Sequence, residues 1–272
     1  MNNLQLYVSL LKYSISNPEK GIQLLKSTYQ VWRDANTKQH DHKYNKIKYD
    51  TREVIQTLFP EEFFDFNEYK KNLISLQNEV FLFFQKLEDQ KYPSHKKPYP
   101  TIYQIDNESA YFLYILCRIL KPKAIVETGV AYGLSSAYIL QAFIDNNEGM
   151  LYSIDSVFRP WESEEMIGSI IPTTLRNRWK FVNGIATKKL KDMLDSLGKI
   201  DIFLHDSLHT YQNMMFEFNL VWPYIKKQGF LISDDIASNN AFFDFCTKNN
   251  LSPIILSQKN QEKSFLGIVR KP

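Results

Sequence analysis

Four of the five short buried-looking runs in the second part of this chain end in an acid. The runs are 124–129 (AIVETG), 151–155 (LYSID), 179–184 (WKFVNG), 200–206 (IDIFLHD) and 229–235 (GFLISDD). They end in Glu127-Thr128-Gly129, Asp155-Ser156, Gly184, Asp206 and Asp234-Asp235. A core strand has no need of a terminal carboxylate, so these acids are candidates for chemistry. Neighbouring strand ends can bring Asp206, Asp234 and Asp235 together, a set that suits a hard cation such as Mg2+. His209, three residues after Asp206 in HDSLHTY, is the best candidate for a general base. Structural alternatives stand beside each role. Asp234 or Asp235 can cap the next helix. Asp206 can serve a cofactor or hold a loop, and His209 can be a hydrogen-bonded structural residue. His205, inside its run, reads as structural.

The segment ETGVAYGLSS, 127–136, joins the first of these runs to a helical pattern. Gly129 and Gly133 permit a tight turn and close approach of a ligand, and Ser135 and Ser136 can cap the helix. The loop is not G-x-G-x-x-G and has no P-loop lysine, which counts against NAD and ATP. Glu127, two residues before the first glycine, would repel a phosphate and favour a cationic or hydroxyl-bearing ligand. Asp155 lies 26 residues after Gly129, where a carboxylate can accept both hydroxyls of a ribose. A nucleoside with positive charge and no phosphate satisfies these features together.

Elements that would position these residues alternate between strand and helix through residues 101–272, which predicts a mostly parallel sheet with helices on both faces. Ligands of such sheets bind beyond the carboxyl ends of the strands. The runs 252–257 and 264–270 are joined by a short polar loop and predict an antiparallel terminal hairpin.

Residues 1–100 differ. They carry 15 Lys+Arg against 12 Asp+Glu, whereas the remainder is neutral with 18 of each, and Gly21 is their only glycine. Asn17-Pro18-Glu19 reads as a capped helix start, followed by a face of Ile22, Leu25, Tyr29 and Trp32. A second helix is expected over about 67–87, with Leu73, Leu76, Val80, Phe83 and Leu87 as a narrow apolar seam. Packing on its own chain is expected ahead of a homodimer contact. The basic stretch 37–49 (TKQHDHKYNKIKY) reads as a solvated loop or lid. An excess of +3 is too weak to argue for nucleic acid, and His40 and His42 are assigned no chemistry. Residues 91–100, with three prolines, read as a linker. No run is long enough to cross a bilayer, no signal peptide is recognisable at the start, and Cys117 and Cys246 sit in apolar helical patterns. A cytoplasmic protein is expected.

The combination of E-x-G-x-x-x-G after the first strand, acids after the second and fourth, and a terminal hairpin resembles the class I S-adenosylmethionine-dependent methyltransferases. The resemblance covers roughly residues 101–272, and the block 200–236 resembles the broad group of small-molecule and sugar O-methyltransferases. It implies a Rossmann-like seven-stranded α/β methyltransferase sheet, mostly parallel with a terminal antiparallel hairpin, in residues 99–272. Residues 1–98 would be a helical extension serving as lid, dimerisation element or both.

The resemblance further implies that Glu127 faces the methionine end of S-adenosylmethionine, above Gly129 and Gly133, with Ser135, Ser136 and Asp206 also at the cofactor. Asp155, with Ser156 beside it, would hold the ribose, and the segment from Ile185 would border the adenine. Ala131 replaces a glycine often found in the loop, and Lys226–Gly229 replaces a Pro-Gly-Gly turn. Catechol-type relatives use acids after the fourth and fifth strands to hold a metal. The expected function is methyl transfer to an oxygen of a small-molecule acceptor, with Mg2+ as a candidate assistant. The alternatives are a nicotinamide-dependent oxidoreductase and a non-catalytic nucleoside-binding module.

Overall fold

The computed structural model describes residues 3–37, 47–48, 50–257 and 265–272. Most of the basic stretch, including Lys38, His40, His42, Lys43 and Lys46, lies outside the described residues, as does the loop of the terminal hairpin.

Helices α1 (Asn3–Ser16) and α2 (Pro18–Asn36) form a hairpin. It is tight at Gly21, where a Cβ would meet the Ser14 Cβ at 2.8 Å. Pro18 takes the first helical position as expected, but the Asn17 side chain does not cap; its amide donates to the Tyr13 carbonyl at 3.1 Å. Strand β1 (Ile47–Lys48) follows, then α3 (Thr51–Leu58) and α4 (Phe66–Glu88). Asp50 and Asp65 cap these two helices by accepting from Glu53 N and from Asn67 N and Glu68 N. Helix α5 (Asn107–Leu120), capped by Asp106, stops at the left-handed Lys121 just before Pro122.

The alternating part runs β2 (Ala124–Thr128), α6 (Leu134–Asn146), β3 (Met150–Asp155), β4 (Trp179–Asn183), α7 (Ala186–Leu197), β5 (Ile200–His205), α8 (Tyr211–Val221), β6 (Ile225–Ser233), α9 (Ala241–Lys248), β7 (Ile254–Ser257) and β8 (Phe265–Arg270). The strands form one sheet in the order β1-β7-β8-β6-β5-β2-β3-β4. β8 pairs antiparallel with both β6 and β7, and the other pairings are parallel. The sheet thus has the expected character and one strand more than the seven predicted. The extra strand, β1, pairs with β7, whose edge would otherwise leave its backbone groups unpaired. Lys226–Gly229 is also not a separate turn. It lies within β6 at a register shift, with Gln228 left-handed (φ +64°).

Alternation along the strands divides the core in two. Ile125, Leu151, Ile202, Leu204 and Ile232 face α5 and α6. Val126, Ile154, Phe203 and Leu231 face α7, α8 and α9. Val54 and Ile55 of α3, with Leu73, Leu76 and Val80 of α4, belong to the first of these cores. The α4 seam is therefore buried within its own chain, and α3 and α4 are continuous in packing with the sheet. The face of α2 behaves differently: Ile22, Leu25, Tyr29 and Trp32 are all exposed, Trp32 to 60%.

Candidate active site

The strand order reverses between β3-β2 and β5-β6, which opens a crevice at the carboxyl ends of β2 and β5. Gly129 occupies this point with φ +83°. A Cβ here would lie 1.9 Å from the Asp206 carbonyl oxygen, so only glycine lets the exits of β2 and β5 lie side by side. Asp206 N donates to the Thr128 carbonyl at 2.8 Å across the same gap. Gly133 (φ +93°) starts α6 in a left-handed conformation, against Gly168. Ala131 also takes φ +48°. The glycine often found here would adopt that conformation without strain, whereas an alanine is strained.

Glu127 is fully buried beneath this loop. Ser135 and Ser136 donate to its two oxygens at 2.6 Å each, and Ser153 of β3 adds a third bond at 2.8 Å. Burial raises the Glu127 pKa, opposed by these three hydroxyls. One sequence expectation changes here. The serines lie in the first turn of α6 and bind Glu127 instead of capping the helix. The Glu127 carboxylate is enclosed by those hydroxyls, so it orders the loop from below.

Asp155, at the exit of β3, accepts from Val130 N (2.8 Å) and Ala131 N (2.9 Å) through one oxygen and from Ser156 N (2.6 Å) through the other. Burial raises its pKa, and the three N–H groups oppose the shift. Asp155 therefore lies against the glycine loop, and Ser156 reaches it through its backbone. Gly184 N donates to the Asp155 carbonyl at 2.8 Å, which brings Ile185, at the N-cap of α7, to the same end of the sheet.

The second group of acids sits at the exits of β5 and β6. Ligand atoms of Asp206, His209 and Asp234 lie within 4.8 Å of one another. His209 Nε2 is 3.7 Å from Asp206 Oδ1 and has no hydrogen-bond partner among the described residues, while Nδ1 is 3.3 Å from Asp235 Oδ2. Burial and the charges of Asp234 and Asp235 raise the Asp206 pKa well above the carboxylate range. Burial disfavours the His209 cation, but the hydrogen bond and charge of Asp235, with Asp234, outweigh it and raise that pKa. The expected trio Asp206, Asp234 and Asp235 is thus replaced, as a convergent set, by Asp206, His209 and Asp234. Asp235 has φ +48° and meets the far nitrogen of His209 instead.

Sequence reasoning missed two supports of this site. Glu217 of α8 is fully buried. It accepts from Thr128 Oγ (2.5 Å), His205 Nδ1 (2.7 Å), Ser207 Oγ (3.0 Å) and Asn213 Nδ2 (3.1 Å). One carboxylate therefore ties the exits of β2 and β5 to α8. Burial lowers the His205 pKa, leaving a neutral ring that donates from Nδ1. The available signal was a charged residue on the apolar face of Met214, Phe218 and Val221. The second support comes from α2: Gln30 accepts from Thr210 Oγ (2.8 Å) and Asp34 from Tyr211 N (2.6 Å). A cavity of about 540 Å³ lined by Leu58, Phe59 and Arg270 lies toward the opposite end of the sheet.

Residues 126–236 match the family model described as a methyltransferase domain. The match covers 111 of the 272 residues. That stretch runs from β2 to just past Asp235 and contains the glycine loop and both acid groups. Comparison with curated proteins finds no match. Among solved structures, an O-methyltransferase from Bacillus cereus in complex with S-adenosylhomocysteine superposes with a TM-score of 0.55 at 12% identity, covering 80% of this chain and 96% of that one. The O-methyltransferase TomG from Streptomyces achromogenes, involved in tomaymycin synthesis and in complex with S-adenosylmethionine, gives 0.54 at 12% identity, covering 82% and 97%. The S-adenosylhomocysteine-bound methyltransferase PaMTH1 from Podospora anserina gives 0.53 at 13%, covering 78% and 99%. At such identities the shared property is the fold, and this chain spans nearly the whole of each. Among the described residues no helix is long and apolar enough to cross a membrane.

Proposed function

We propose that this methyltransferase moves the methyl group of S-adenosylmethionine to an oxygen of a small-molecule acceptor, assisted by a divalent cation. The observation that carries the reading is the convergence of Asp206, His209 and Asp234 beside a glycine loop held by Asp155. Asp155 keeps acceptor capacity beyond its three backbone bonds, and in this reading that capacity serves the ribose hydroxyls. The structures named above were solved with S-adenosylmethionine or S-adenosylhomocysteine, which supports the same cofactor here.

The donor set fits a cation on the structure's own terms: two carboxylates and a buried imidazole nitrogen with no hydrogen-bond partner point together. Asp206, His209 and Asp234 would hold it, and it would supply charge that lowers the pKa of an acceptor hydroxyl. With an imidazole in the set, Mn2+ suits the site as well as the Mg2+ expected from carboxylates alone. Asp235 accepts a hydrogen bond from Nδ1–H of His209, and in the neutral ring this leaves the Nε2 lone pair facing the cluster. That lone pair serves either as ligand or as acceptor of the substrate proton.

Calorimetry with S-adenosylmethionine tests the core of the proposal: binding is expected, with Asp155→Ala abolishing or strongly weakening it. Absence of binding, or the same affinity in Asp155→Ala, would sink it. A parallel NAD titration addresses the oxidoreductase alternative, for which the loop lacks the glycine fingerprint.

A further inference from the structure

A buried hydroxyl or N–H without a partner is unfavourable, so such groups mark places where a partner belongs. Four that have no partner among the described residues lie on two segments that both bond to the glycine loop: Tyr99 Oη and Gln104 Nε2 on 99–104, and Trp161 Nε1 and Ser169 Oγ on 161–169. The first segment is fixed through Tyr132, whose hydroxyl accepts from Tyr99 N (3.2 Å) and donates to the Tyr99 carbonyl (2.9 Å). The two rings meet edge-on at 5.3 Å. The second segment is fixed through Gly168 N to the Ala131 carbonyl (2.9 Å) and Ile170 N to the Tyr132 carbonyl (3.0 Å). The two segments thus wall the loop at residues 131–132.

Tyr99 is the most informative of the four. Tyr99 is 7% exposed, and its main chain is held at both polar groups, so the phenol has little freedom to find water. The charged groups that act on it are Asp155, at the exit of β3, together with Glu162 and Arg159 from the loop that follows. Arg159 and Glu162 pair with each other at 2.6 Å, and Asp155 is bonded to the glycine loop. Burial holds the hydroxyl protonated far above the usual tyrosine value, so it can act as a donor at neutral pH.

We propose that the Tyr99 hydroxyl is a hydrogen-bond ligand of the nucleoside cofactor, on the ribose side marked by Asp155. The assignment rests on the methyltransferase reading above. It gives the proline-rich segment before residue 101, expected only as a linker, a direct part in the site.

The test is calorimetry on the full-length protein with S-adenosylhomocysteine and, separately, adenosine, comparing wild type with Tyr99→Phe. The expected result is a Kd about fivefold higher for both ligands, the worth of one hydrogen bond. The melting temperature of the ligand-free variant should be no lower, because the lost hydroxyl has no partner among the described residues. An unchanged Kd overturns the assignment while leaving the methyltransferase reading intact. A loss confined to S-adenosylhomocysteine overturns the ribose placement, and a fall in ligand-free melting temperature reassigns the hydroxyl to folding. Failure of wild type to bind S-adenosylhomocysteine removes the parent reading and this assignment with it.

Discussion

Asp34 Oδ2 accepts a hydrogen bond from Tyr211 N at 2.6 Å across 177 residues of sequence. Tyr211 is the first residue of α8, and its N–H has no acceptor within the helix. The N-cap Thr210 serves Asn213 N at 3.4 Å and donates its own proton to Gln30. Asp34 therefore supplies the second half of a cap from another helix, with its charge placed favourably at a helix N-terminus. Because α8 begins two residues after His209, the N-terminal hairpin braces the end of the segment that carries the candidate base. Near the other end of α2, Glu19 pairs with Lys188 of α7 at 3.3 Å, so the hairpin spans the beginnings of two helices that leave the ligand face.

Removal of this brace should be visible as lost stability. Asp34→Ala is expected to cost about 1 kcal/mol, as for the loss of a capping residue. That corresponds to a fall in melting temperature of about 2–4 °C for a domain of this size. Asp34→Asn keeps an acceptor and should retain most of the stability. Scanning calorimetry on the two variants checks both statements, and equal losses in both would show that the charge, not the hydrogen bond, matters.

Glu217 should be far less tolerant. Glu217→Ala leaves Thr128, His205, Ser207 and Asn213 without a shared acceptor in a dry interior. Breaking a buried charged network from one side costs about 3–5 kcal/mol. Glu217→Gln keeps the shape but turns one acceptor into a donor facing existing donors, so an intermediate loss is expected. Urea unfolding midpoints at constant m-value provide the measurement.

The glycine loop offers a pair of opposite substitutions. Gly129→Ala drives a methyl group to 1.9 Å from the Asp206 carbonyl oxygen, and the atoms it meets are all backbone. The exits of β2 and β5 must separate, so S-adenosylhomocysteine binding should be lost even where the fold survives by circular dichroism. Ala131→Gly acts at φ +48°. It relieves a left-handed alanine, worth about 1–2 kcal/mol, against about 0.5–1 kcal/mol for the freer unfolded chain. The net change in melting temperature should be small and upward.

The sheet was legible because each central strand is a short apolar run closed by an acid or a glycine, and because helices separate them at regular spacing. Strand β1 was not, since two residues carry no periodicity and its pairing depends on an edge 208 residues away in sequence. The site was legible as a list of acids at strand ends but not as a geometry. Whether Asp234 or Asp235 faces Asp206 depends on one left-handed residue, and nothing in the sequence SDD marks which aspartate adopts it. Asp34 left no local signal, because its partner lies in another helix.

That ambiguity at 234–235 yields a direct test of the cation proposal. Asp206, His209 and Asp234 converge, whereas Asp235 meets the far side of His209. If a cation binds there, Mn2+ titration followed by electron paramagnetic resonance should show one site in wild type. Asp206→Asn and Asp234→Asn should abolish it, because each removes a ligand carboxylate. Asp235→Asn should weaken it by about 10–100-fold, as for a group that orients a ligating histidine. His209→Ala separates the two roles of that residue: loss of Mn2+ identifies it as a ligand, and retained Mn2+ with lost methyl transfer identifies it as the base. Equal Mn2+ binding in wild type and Asp206→Asn would exclude this cluster as the cation site, and turnover that survives chelation would exclude a required cation altogether.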